Sequence, residues 1–96
     1  MTKSELIDKL ANEIKISSRE AASLINTIFD SMTEALCRDE SIEIRGFGSF
    51  TVKHYDGYEG RNPKTGEMTQ VKPKKLPFFK VGKELREKIN TATGKN

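Results

Sequence analysis

The chain has 96 residues, with 17 Lys and Arg against 14 Asp and Glu, and 34 % of its residues are hydrophobic. One cysteine excludes a disulfide framework, and no apolar stretch approaches the ~18 residues that a membrane span needs. At the N-terminus Lys3, Glu5, Asp8 and Lys9 interrupt any signal-peptide core, so the expectation is one small domain in a reducing, cytoplasmic compartment.

Thr2 and Glu5 form a capping-box signature ahead of Leu6, Ile7, Leu10, Ala11 and Ile14, which predicts an amphipathic helix over 3–14. Ser17 and Glu20 repeat the signature and introduce a second helix that runs to about 38. The short connection predicts a helical hairpin. From 42 the period changes to two. Ile42 and Ile44, then Phe50 and Val52, alternate with polar residues about the turn Gly46-Phe47-Gly48. Each strand should bury one face against the helices.

Residues 53–75 hold only Tyr55, Tyr58, Met68 and Val71 as large apolar side chains, and cannot build a core. Asn62-Pro63-Lys64-Thr65-Gly66 is a turn sequence, with nine residues on either side. The simplest geometry is a two-stranded ribbon whose tip lies roughly 30 Å out, since a strand rises about 3.3 Å per residue. Such a ribbon is marginal alone and should be mobile until bound. The chain returns through a short strand at 76–81, where Pro77 favours an edge or a bulge, and closes with a helix at about 83–90 and a flexible polar tail at 91–96. The resulting fold class is α+β: a helical hairpin, a three-stranded antiparallel sheet with a long ribbon arm, and a short C-terminal helix.

Charge is distributed unevenly. Residues 1–45 hold 6 basic and 9 acidic groups, whereas 46–96 hold 11 and 5. Within 60–80, Arg61, Lys64, Lys72, Lys74, Lys75 and Lys80 face Glu67 alone. This suggests a polyanionic partner, although a solvated basic loop has the same composition. A Lys- and Arg-lined ribbon can enter a nucleic-acid groove, with backbone charge supplying most of the affinity. Pro63 either only shapes the turn or, being rigid, apolar and without an N–H, wedges between base pairs. The flanking Arg61 and Lys64 favour the wedge. The second helix is apolar over a broad sector, and five Phe residues need burial in a chain with little core, which a two-fold dimer would provide.

Three segments carry a resemblance: Ile44 to Phe50 (IRGFGSF), Gly60 to Gly66 (GRNPKTG) and Phe79 to Leu85 (FKVGKEL). In this order, with two helices ahead of them, they resemble the bacterial HU/integration host factor family of DNA-bending proteins over residues 1–90. The resemblance implies an intertwined dimer, homomeric or paired with a homologous subunit, in the bacterial nucleoid. It also implies a preference for bent, nicked or kinked double-stranded DNA. Minor-groove insertion is a described property of that family and comes with the resemblance.

Residue by residue, it implies that Pro63 intercalates with Arg61, Asn62 and Lys64 beside it in the minor groove. Lys53, Lys72, Lys74 and Lys75 would meet phosphates along the ribbon, and Lys3, Lys80, Lys83 and Arg86 would contact flanking DNA. Backbone N–H groups near Gly46 and Phe47, and the helix starts at Thr2-Lys3 and Gly82-Lys83, resemble the family's phosphate clamps. Asp56 and Glu59, on the outgoing strand where relatives often carry Arg, depart from the pattern and would repel phosphates.

Glu43 and Arg45 should share one face, either as a surface ion pair or with Arg45 reading the minor groove in the manner of a site-selective bender. His54 lacks a Cys, Asp or His at ligand spacing, so no metal site is expected, and Cys37 has no catalytic partner. No cofactor motif or nucleophile–base arrangement is present. The expectation is a non-enzymatic architectural protein; an RNA- or protein-recruiting module is the alternative from another class.

Overall fold

The computed structural model describes residues 1–92, and these form two compact units, Met1–Ala35 and the residues from Leu36 onward. In the first, α1 spans Lys3–Ile14 and is capped reciprocally: Glu5 N–H donates to Thr2 Oγ1 at 3.1 Å, and Thr2 N–H donates to Glu5 Oε1 at 3.0 Å. Lys15 in the left-handed region (φ 57°) stops it. A second box, Ser17 with Glu20, opens α2 at Ser18–Cys37. The apolar side chains buried in the chain, among the described residues, are Ala11, Ala21 and Ile25. Leu24, Ile28 and Phe29 on α2 stay exposed.

The second unit is antiparallel. Strand β1 (Ile42–Ile44) pairs with β2 (Gly48–Tyr55), and β2 pairs with β5 (Lys74–Val81), giving the sheet order β1-β2-β5. Strands β3 (Tyr58–Arg61) and β4 (Met68–Val71) form a separate two-stranded ribbon. Register is kept between the two ladders. Tyr55 lies opposite Lys74 and Tyr58 lies opposite Val71, three residues further along each strand. The break falls at Asp56-Gly57 and Lys72-Pro73, where Pro73 has no N–H to give a ladder. The arm expected at 53–75 is therefore rooted in the sheet through β2 and β5, and its outer part is β3 and β4.

Strand β5 begins at Lys74, two residues before the expected start, and lies at a sheet edge, which accommodates Pro77 opposite Val52. One sheet face carries an aromatic cluster: Phe79 lies 4.8 Å from Phe50 and 5.7 Å from Phe47, centroid to centroid. Gly48 makes this close packing possible, because a Cβ there would stand 2.5 Å from the Lys80 carbonyl oxygen and 2.7 Å from the Phe79 ring. Helix α3 spans Lys83–Ala92 and so takes in the first two residues of the expected tail; 93–96 lie outside the described residues.

Candidate nucleic-acid interface

The interface is built on strand alternation. Residues directly opposite one another share a face, and every second residue returns to it. Across β2 and β5 the pairs Ser49–Lys80, Thr51–Phe78, Lys53–Leu76 and Tyr55–Lys74 therefore occupy one face, opposite the face of Phe50 and Phe79. Two of the expected ribbon phosphate contacts, Lys53 and Lys74, thus come together with Lys80, an expected contact to flanking DNA, all exposed. Glu43 joins the same face by its pairing with Ser49, so one carboxylate lies among the cations. The Lys53 ammonium sits over the Phe78 ring, 3.7 Å from its centroid.

At the far end of the ribbon the turn is closed by its own hydrogen bonds. Asn62 N–H donates to the Glu67 carbonyl at 2.8 Å, Gly66 N–H to the Asn62 carbonyl at 2.7 Å, and Lys64 N–H to Asn62 Oδ1 at 2.9 Å. Gly66 supplies the positive φ (75°) that this closure requires. With these polar groups turned inward on each other, Pro63 is left exposed at the tip, beside exposed Arg61 and Lys64. Asn62 is half-buried and engaged in shaping the loop. On the ribbon, Glu59 lies opposite Gln70 and Arg61 opposite Met68, so Glu59 and Arg61 share one face.

A third cluster joins the β1–β2 turn to the start of α3. Gly82 N–H donates to the Phe47 carbonyl at 2.8 Å and Leu85 N–H to the Gly46 carbonyl at 3.1 Å. Gly46 takes φ 82° to present that oxygen. Arg45, Gly46, Lys80 and Gly82 line one shallow groove, with Lys83 and Arg86 exposed on α3 beside it. Phe47 N–H donates to the Ile44 carbonyl at 2.9 Å, so of the backbone donors expected near Gly46 and Phe47 this one is already engaged. At the start of α1 the capping box occupies the N–H groups of Thr2 and Glu5, and Lys3 is exposed in the first turn of that unit.

Two features escape the sequence reading. Lys75 stands opposite His54 on the face away from Lys53, Lys74 and Lys80. Its ammonium donates to the Cys37 carbonyl at 2.9 Å and lies 3.4 Å from Asp39 Oδ1. His54 Nε2 meets the same carboxylate oxygen at 3.1 Å, from 15 residues away. Alternation between neighbours was the available signal for Lys75; nothing in the local sequence announces Asp39. The second feature is that Phe78 and Leu76, on the cationic face, are 42 % and 45 % exposed. Lys72 falls in the break of the ladder and is exposed.

The family model described as bacterial DNA-binding protein matches residues 1–90. Among solved structures, HU of Anabaena in a cocrystal with DNA is similar at 32 % identity, covering 93 % of this chain and 97 % of that one, with a TM-score of 0.81. HU of Thermotoga maritima is also 32 % identical, over 93 % of this chain and 98 % of that one, with a TM-score of 0.66. A mutant of transcription factor 1, at 22 % identity and a TM-score of 0.63 over 98 % and 92 % of the two chains, shares the fold.

Proposed function

Since the chain belongs to the bacterial DNA-binding protein family, the family of HU, we propose that it is a dimeric, non-enzymatic architectural protein of the bacterial nucleoid. It binds duplex DNA through the minor groove with its arms and bends the duplex by inserting Pro63, largely without sequence preference. The observation that carries this reading is the tip: a hydrogen-bonded turn that leaves an apolar, donor-free ring exposed between Arg61 and Lys64. An inserted wedge unstacks a base step at a cost of a few kcal/mol, and the bend brings more of the cationic surface onto phosphates.

Lys53, Lys74 and Lys80 on the sheet face, Arg45 and Gly46 at the β1–β2 turn, and Lys83 and Arg86 on α3 continue the contact along flanking DNA. Lys72 and, from the first unit, Lys3 add charge. Of the two adjacent lysines, Lys74 is the better candidate for a phosphate contact, because the Lys75 ammonium is engaged by the Cys37 carbonyl and Asp39 at the root of the arm.

Dimerisation is supported by the buried set. Ala11, Ala21 and Ile25 are too little apolar burial to offset the conformational entropy of a chain this long. Leu24, Ile28 and Phe29 on α2 of the first unit and, separately, Phe47 in the β1–β2 turn and Phe79 on β5 of the second unit are apolar side chains that a second subunit would cover. Glu43 and Arg45 line the same groove, which favours one other reading, a site-selective bender in which Arg45 reads the minor groove.

A gel-shift series on linear, nicked and pre-kinked duplexes tests the function. Tighter binding to the nicked and kinked forms supports bending. Affinity for these forms no better than for single-stranded RNA would sink it.

A further inference from the structure

We infer that Phe78 and Leu76 form an apolar seat for the sugar edges of duplex DNA, and that this seat makes the protein prefer deoxyribose to ribose. The inference rests on the DNA-binding reading and adds a specificity to it. Both side chains are large, apolar and nearly half exposed, on the face that also presents Lys53, Lys74 and Lys80. An apolar pair set among cations needs an occupant that is anionic and carbon-rich at once. A nucleic-acid strand is both, because each phosphate is bonded directly to a sugar.

The spacing fits this occupant. Lys53 is the direct cross-strand neighbour of Leu76, and its ammonium stands 3.7 Å from the centre of the Phe78 ring. A phosphate paired with that ammonium brings its own sugar down beside the ring and Leu76. Deoxyribose offers C–H groups there. The wide, shallow minor groove of duplex RNA displays 2′-hydroxyls instead. A hydroxyl pressed against the hydrocarbon of Phe78 and Leu76 loses water and must compete with the phosphate for the Lys53 ammonium, with the Thr51 side chain across from Phe78 as the other polar neighbour. It is therefore incompletely paired, and an incompletely paired polar group is penalised more than a missing contact.

The test compares duplex DNA and duplex RNA of one sequence, bound by the full-length wild-type protein and by the Leu76→Thr/Phe78→Thr variant. The DNA-over-RNA affinity ratio should fall by about tenfold in the variant, the size expected when one unsatisfied polar group is relieved. Differences in helix shape are common to both proteins and cancel in that comparison. The slope of log affinity against log salt on DNA should stay at its wild-type value, because no cation is removed. An unchanged ratio overturns the inference. A second arm needs no variant: DNA duplexes carrying increasing numbers of ribonucleotides should bind the wild-type protein progressively more weakly, and equal binding overturns the seat. A flat salt dependence of the wild-type protein on DNA would instead remove the DNA-binding reading beneath it.

Discussion

Lys74 and Lys75 are neighbours in the chain and lie on opposite faces of the sheet. Lys74 stands opposite Tyr55, on the face with Lys53 and Lys80; Lys75 stands opposite His54, with its ammonium on the Cys37 carbonyl and beside Asp39. Two adjacent positive charges that composition cannot tell apart therefore have different surroundings. Replacing each by Ala should separate them: Lys74→Ala should reduce the steepness of the salt dependence by about 0.9 in log–log slope, the value for one lost phosphate contact. Lys75→Ala should leave that slope unchanged. Equal losses in the two variants would place both side chains on phosphates.

The Asp39 carboxylate joins both members of the His54–Lys75 pair at the root of the arm. These groups are exposed, so their contribution to global stability is small, on the order of 1 kcal/mol or less. Their effect should be local. Asp39→Asn should speed amide hydrogen exchange at the root of β2 and β5 while leaving the melting temperature within a few degrees of wild type. Unaltered exchange at residues 53–55 and 74–76 would remove any anchoring role.

Pro63→Ala keeps the neighbouring charges and removes the rigid ring. Bending, measured by circularisation of short duplexes, should fall more than affinity does, because phosphate contacts supply most of the binding free energy. A variant that circularises DNA as the wild type does would show that Pro63 only shapes the turn.

Phe79 reports on dimerisation. Its ring is in contact distance of Phe47 and Phe50 yet is 39 % exposed in the single chain. If a second subunit covers the cluster, Phe79→Ala should cost about 3–5 kcal/mol, as for a buried ring. The wild-type melting temperature should then rise with protein concentration. A concentration-independent melt with a loss below about 1 kcal/mol would identify a monomer with an exposed ring.

Gly48→Ala should destabilise the fold by about 1–3 kcal/mol, the usual cost of forcing an extra methyl group into a packed site. The clash is with the Lys80 backbone carbonyl and the Phe79 ring, neither of which is a flexible chain end. Thermal unfolding checks this, and a neutral outcome would mean that β5 shifts away from β2 at little cost.

Local rules carried much of the structure. The boxes at Thr2–Glu5 and Ser17–Glu20 announced both long helices, since their hydrogen bonds span only three residues, and α1 begins and ends where periodicity placed it. Alternation about Gly46-Phe47-Gly48, the turn at Asn62 to Gly66 and the edge position of Pro77 were legible for the same reason. Each depends on backbone preferences of a few adjacent residues. What only the tertiary structure decided are relationships between distant segments. The pairing of β2 with β5 determined which cations share a face with Phe78, the Asp39 carboxylate reached His54 and Lys75 across 15 and 36 residues, and the β1–β2 turn met the start of α3. Side-chain chemistry is written in the sequence, but which side chains converge depends on strand register and chain return, and these are set by packing over the whole unit.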